Sequence, residues 1–334
     1  MKHPMSRAVA VLLGIAVSVS FGCADAVQDA DPPGPPEKPP VEDEFASQPQ
    51  AISEDETAAV AALRRLGASV DQDPDGAWHV LSEDMEGTKD VDDSWLVHLT
   101  ALKNLKTLKL WSTAITDAGL ATIGQLDDLE QLRLYDCSKV SGAGLIHLRG
   151  LMNLSSLDVE KTNVDGDGLK DLRGLPNLRS LNLLETRVDD DGLVHLEGLK
   201  QLRSLRLDCT RITDAGLVHL KPLSHLEFLH LEAPLLPYEP GRDHFYGPSK
   251  IGDAGLAHLV GLPRLRVLNL EHANATDAGI EHLSRLTGLE ILVLNRENLS
   301  REGLERLQKR LPQCEIHDSM TDDDGNLIPG SFYY

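Results

Sequence analysis

The residues that could do chemistry in this chain recur at one spacing. Trp111 and Tyr135 lie 24 positions apart, and each has a cation two residues before it, Lys109 and Arg133. Aromatics flanked by cations are frequent anchors of protein–protein interfaces. The alternative is that Trp111 seals one edge of a folded array. The same two registers continue through Asp158 and Glu160, Arg206 and Asp208, His230 and Glu232, and reach Glu271. Asp208, Glu232 and Glu271 would then be successive carboxylates. Like charges that close repel unless something offsets them. Arg206 and His230, a basic partner or a Ca²⁺ ion could do so, and pairing with Arg206 and His230 is the reading adopted. Six of the 13 histidines, His98, His147, His195, His219, His258 and His282, also share one register. A metal ladder would need carboxylate or thiolate partners at fixed distances, and none recurs. The row reads as a tolerated polar position.

No catalytic residue is predicted. The chain has no Gly-x-Ser-x-Gly, no His-Glu-x-x-His and no phosphate loop. No cofactor and no metal site is implied. Asp and Glu number 53 against 32 Lys and Arg, a net charge of -21. That excess argues against nucleic acid, whose phosphates attract cations. Four cysteines are too few for a disulfide scaffold.

The spacing belongs to a repeat. Leu102, Leu126, Leu151, Leu175, Leu199, Leu223, Leu262 and Leu286 each open a segment of about 24 residues. Leu105 and Leu108, with their equivalents, recur in all eight, and Leu110 in all but the third, where Val159 stands. Leu-x-x-Leu-x-Leu at this period resembles the leucine-rich repeat family over about residues 78–317. The resemblance implies an α/β solenoid, with a curved parallel sheet on the concave face and short helices on the convex one. It is specific for architecture and silent on the ligand. The second segment, with Cys137 and one extra residue, is similar to the cysteine-containing subclass. Thr113, Thr162, Thr186 and Thr210 stand where the family often has Asn bonding the next coil's turn.

The residues support this independently. The final Leu-x-Leu alternates as a half-buried strand does, which turns the aromatic, cationic and acidic registers outward. Asp92, Thr116, Ser141, Asp165, Asp189, Thr213, Thr276 and Ser300 are good helix N-caps. Gly follows three positions after each cap in every complete coil, from Gly119 to Gly303. So poor a helix former needs a reason, and close approach of the neighbouring coil supplies one. Residues 51–101 read as an N-terminal cap and partial coil, with a Ser53-to-Glu56 capping box. Strands are expected at Ala68–Val70 and Ala77–Leu81, joined by a turn at Asp73-Pro74-Asp75-Gly76. Residues 102–317 form the solenoid, with an insert at 235–249 carrying Tyr238, Arg242, His244, Phe245 and Tyr246. A last edge strand is expected near Gln313–His317, followed by an acidic tail at 318–334.

The N-terminus reads as an address. Lys2 and Arg7 precede an apolar run from Ala8 to Val19, too short to span a bilayer. Gly22-Cys23 resembles the lipobox of bacterial lipoproteins, which implies cleavage after residue 22 and a lipid on Cys23. Cleavage near Ala26 is the alternative and would give a secreted or periplasmic form. Residues 23–50 form a Pro-rich acidic tether. The expected function is non-enzymatic: a cell-envelope module that binds a protein, one with a basic surface for preference. Contact would run through the concave sheet and the insert, and membrane contact through the N-terminal lipid alone. The rivals are a self-associating envelope protein and a substrate receptor of a ubiquitin-ligase-like system.

Overall fold

The computed structural model describes residues 52–82, 91–232, 250–295 and 297–317, all within a compact unit running from Gln48 to Tyr334. The leader, tether, insert and acidic tail lie outside the described residues. So do Cys23, Tyr238, Arg242, His244, Phe245 and Tyr246.

The alternating Leu-x-Leu of each coil becomes a short strand. In chain order these are β1 (Ser69–Gln72), β2 (Trp78–Leu81), β3 (Leu105–Trp111), β4 (Gln131–Tyr135), β5 (Ser156–Asp158) and β6 (Ser180–Asn182). They continue as β7 (Ser204–Arg206), β8 (Phe228–His230), β9 (Val267–Leu270), β10 (Ile291–Leu294) and β11 (Glu315–His317). All eleven make one sheet in sequence order. β1 and β2 pair antiparallel, and every later pair is parallel. The register aligns equivalent residues, as in Leu157 opposite Leu181 and Leu181 opposite Leu205. A backbone ladder continues beside the strands, with Ser155 N–H bonding Glu130 O and Arg179 N–H bonding Ser155 O. The architecture is an α/β solenoid with the leucine-rich repeat fold.

The leucines fill one continuous core that runs the length of the array. No coil could close such a core alone. Stacking removes its apolar surface from water at roughly 25 cal/mol per Å². Helical segments cover the other side. They are α1 (Glu54–Arg65), α2 (Asp117–Ile123), α3 (Asp190–Leu193), α4 (Asp253–Leu259), α5 (Asp277–Leu283) and α6 (Arg301–Arg310). In between, 93–101, 142–150, 166–172, 194–198 and 216–220 wind as 3-10 helix. A tighter winding spans the coil with fewer residues per turn. The capping box of α1 is formed by Ser53 and Glu56, and the Asp73–Gly76 turn has Gly76 at φ 84°.

Two devices lock neighbouring coils together. The first uses the residue after each N-cap. Asp93 accepts from the backbone and hydroxyl of Thr116 at 2.8 and 2.6 Å. Asp117 does the same for Ser141, Asp190 for Thr213, Asp253 for Thr276 and Asp277 for Ser300. Asp214 takes the backbone N–H of Gly252. Where the next cap is itself Asp, the preceding coil has Gly instead: Gly142 faces Asp165, and Gly166 faces Asp189. Those two aspartates cap their own helices, at Gly168 and Gly192. A carboxylate thus never meets a carboxylate at this junction. The recurring glycines leave it room, because a Cβ on Gly119, Gly144, Gly216, Gly255, Gly279 or Gly303 would run into the preceding coil's aspartate. On Gly192 it would overlap the Cα of Gly166.

The second device follows each strand. Ser112, Asp136, Lys161, Glu185 and Cys209 all hold φ between 52 and 56°. Non-glycine residues pay about 1 kcal/mol for this left-handed region. The conformation turns each N–H onto a carbonyl of the next coil, on Tyr135, Glu160, Leu184, Asp208 and Glu232 respectively. Thr113 meets Cys137 Sγ of the next coil at 3.2 Å, but the later members of the Thr column work differently from their expected role. Thr162, Thr186 and Thr210 donate to Val159, Leu183 and Leu207 of their own coil. They tie down their own turn and do not reach the next one.

Candidate functional site

The sheet face turned away from the leucine core carries the expected binding residues. β3 and β4 place Trp111 beside Tyr135, since the register pairs them directly. Their ring centroids are 4.4 Å apart and tilted by 54°. Trp111 remains 37% exposed, which is high for so large an apolar ring. Its backbone N–H is held by the Ser82 hydroxyl at 3.0 Å. Lys161 completes the cluster. Its ammonium donates to the Tyr135 phenol at 2.9 Å and lies 5.1 Å from the ring centroid. Sequence reasoning missed Lys161 because it follows the outward column. Its left-handed backbone swings the side chain back over Tyr135, and the recurrence of polar residues at 112, 136, 161, 185 and 209 was the available clue.

Lys109 and Arg133 are half-buried next to this pair and line a small depression with Gln131, Leu132, Ser156 and Asp158. Arg133 donates to Asp158 at 2.9 Å. Several residues expected at the surface are enclosed instead. Asp158, Asp208 and His230 are buried. Asp158 turns one oxygen to the backbone N–H of Glu160 at 3.0 Å. Asn182 and Asn269 do the same for Leu184 and Glu271. Short Asp and Asn side chains bond the backbone two residues on in this way when a strand ends. These positions therefore shape the turn, and their outward register alone does not make them contact residues.

The acidic row is correspondingly altered. Asp208 is enclosed between the Arg206 guanidinium at 3.1 Å and the Glu232 N–H at 2.8 Å. Glu232 and Glu271 stay half-buried. Burial, then the charges of Asp208 and Glu271, push the Glu232 carboxyl up to about 7, against a smaller opposing pull from Arg206. Glu160 is raised chiefly by burial, although Asn182 bonds it at 3.0 Å. His230 is lowered, first by burial. The cluster thus limits its own charge by proton uptake at Glu232 and by pairing at Asp208. Among the described residues no group of three or more His, Cys, Asp and Glu is placed to hold a metal ion.

The histidine row lies on the helical side, and two of its members take different partners. His195 accepts from Arg173 at 2.7 Å, and His219 meets Glu197 at 2.8 Å. Cys137 and Cys314 are buried and Cys209 is half-buried. No helix among the described residues is long and apolar enough to cross a membrane.

No family model matches the sequence, and no curated protein matches it. Solved structures do. An internalin (inlF) from Listeria monocytogenes aligns at 18% identity and a TM-score of 0.44, over 67% of this chain and 70% of that one. A second, internalin C2 from the same organism, aligns at 22% identity and a TM-score of 0.49, over 66% and 82%. The plant peptide hormone receptor RGFR1 in complex with RGF2 aligns at 17% identity and a TM-score of 0.46. That alignment covers 74% of this chain and 36% of the receptor chain.

Proposed function

We propose that this protein is a non-enzymatic binding module that captures another protein on its outer sheet face. The observation that carries the reading is the exposed Trp111 ring set against Tyr135 and backed by Lys161. Large aromatics with a polar edge dominate interface energetics. Lys109, Arg133 and Glu160 border the pair, and the insert residues Tyr238, Arg242, His244, Phe245 and Tyr246 belong to the same recognition surface. The net charge of -21, with Glu160, Glu232 and Glu271 on this face, favours a partner with a basic surface. The sequence of residues 1–22 supports export, and Cys23 supports attachment to the cell envelope through a lipid.

The test is affinity capture from an envelope extract, followed by titration of the recovered protein. Trp111→Ala is expected to weaken binding by about 2 kcal/mol, roughly 30-fold, the scale of an interface hot spot. Leu184→Ser, on the same face two coils beyond Tyr135, should bind as wild type. Full affinity in a folded Trp111→Ala protein refutes the assignment.

A further inference from the structure

The residues at or just before the start of each strand form a second charged row, along one edge of the sheet. Their backbones make a continuous ladder: Glu130 N–H bonds Lys106 O, and the same bond repeats down the array to Glu315 N–H on Glu290 O. Only their side chains are left to act. From β6 to β11 the row reads Arg179, Arg203, Glu227, Arg266, Glu290 and Glu315. Glu227 is half-buried and the other five are exposed. The middle of the row pairs within the chain. Arg203 lies 3.2 Å from Glu227, and Arg266 lies 4.0 Å from Glu227 and 2.7 Å from Glu290. The two ends are different. Arg179 stands beside Arg203 and makes no ion pair with any described residue. Glu315 stands beside Glu290 and meets only His317 of its own strand, at 3.6 Å. With strands about 4.8 Å apart, like charges are neighbours at both ends of the row, and their repulsion is a cost.

Reversed in order and inverted in sign, the six charges give the same series. Such a row is its own complement, which is what a two-fold interface between identical chains requires. From this charge complementarity we propose that the edge is a self-docking surface. A second copy of this chain lies antiparallel on it, about an axis that passes between Glu227 and Arg266. Arg179 then faces Glu315 of the second copy, Arg203 faces its Glu290, and Glu227 faces its Arg266, and each contact occurs twice. A slip of one coil destroys the match. In one direction it sets Glu227 on Glu227 and Arg203 on Arg266, and in the other Arg266 on Arg266 and Glu227 on Glu290. Like-charge contacts of that kind exclude wrong registers as effectively as the attractive ones select the right one. The crowded like charges at the two ends of the row find their opposites in the second copy. Trp111 closes the far end of β3, about 17 Å from this row at 3.3 Å per residue, so the aromatic cluster stays open in both copies. The inference goes beyond the proposed function and adds a stoichiometry to it, two binding faces per assembly.

The experiment is sedimentation equilibrium of the full chain at physiological ionic strength. There a Debye length of about 8 Å screens the net charge of -21 over distance but spares direct contacts. The wild type should show a reversible monomer–dimer equilibrium. Arg179→Glu and Glu315→Arg should each weaken it by about tenfold or more, since each sets like charges together twice. Mixed in equal amounts, the two variants should recover a dimer of wild-type strength, because every contact between them is again opposite. Lys106→Glu, in the same row but outside the six, should leave the equilibrium unchanged. A wild type that is monomeric at every concentration, a dimer indifferent to Arg179→Glu, a mixture that does not reassociate, or an equal loss in Lys106→Glu overturns the proposal. If Glu315→Arg lowers the melting temperature by disturbing the last strand, Arg203→Glu and Glu290→Arg form the swapped pair and the same outcomes decide.

Discussion

Glu232 shows how a single side chain couples this face to pH. Its carboxyl titrates near 7 in the folded chain, against about 4.3 for a free glutamate. Between those values the folded state keeps a proton that the unfolded state has lost. Stability contributed by this group is therefore fully present below about 4.3 and falls as pH rises towards 7. His195, His230 and His272 are shifted down by burial, so their contributions run the opposite way near neutrality. A difference measurement cancels them. The melting temperature of Glu232→Gln minus that of wild type should grow from pH 5 to pH 7.5 and then level off. Parallel profiles would show that Glu232 does not titrate in this range. At this scale the sequence was only partly legible. It placed Trp111 beside Tyr135 and the three carboxylates in one row. It did not show that Asp158, Asp208 and His230 are enclosed, because enclosure depends on side chains of the adjoining coil and on backbone donors the period cannot reveal.

Among elements, the junction between helical segments controls packing more than the sheet surface does. Gly192 lies against Gly166 with no space for a Cβ, and the nearest atoms are backbone that cannot swing aside. Leu184 is half-buried on the outer face. Gly192→Leu should therefore lower the melting temperature well beyond Leu184→Ser, with a cost of several kcal/mol in the range of overpacked or strained sites. Comparable shifts in thermal unfolding would refute this account of the glycine column. The glycines, the caps and the strands were readable because each repeats at a constant offset. The pairing of Asp with Ser or Thr, and of Gly with Asp, was written in adjacent columns too. It shows only when the residue after one cap is compared with the cap of the following coil. The 3-10 winding of the middle segments was not readable, since it reflects the space between coils more than helix propensity.

For the whole molecule, the leucine pattern carried the architecture because period and burial agree at every coil. Stability in such an array is a sum of unit and neighbour terms. The unit lengths suggest that coils are interchangeable, but the aspartate junctions say otherwise. Removing 141–164 would bring Asp117 onto Asp165. Removing 165–188, a cut of equal length, would bring Gly142 onto Asp189 and preserve a permitted match. The first deletion should melt at a lower temperature than the second in thermal denaturation at neutral pH, with the gap narrowing in acid as the apposed carboxylates protonate. Indistinguishable melting would mean that the junctions do not discriminate. The coils thus behave like keyed tiles: in-frame duplication or loss is tolerated only where the edges match, so the same chemistry that fastens the array also restricts how it can be lengthened or shortened.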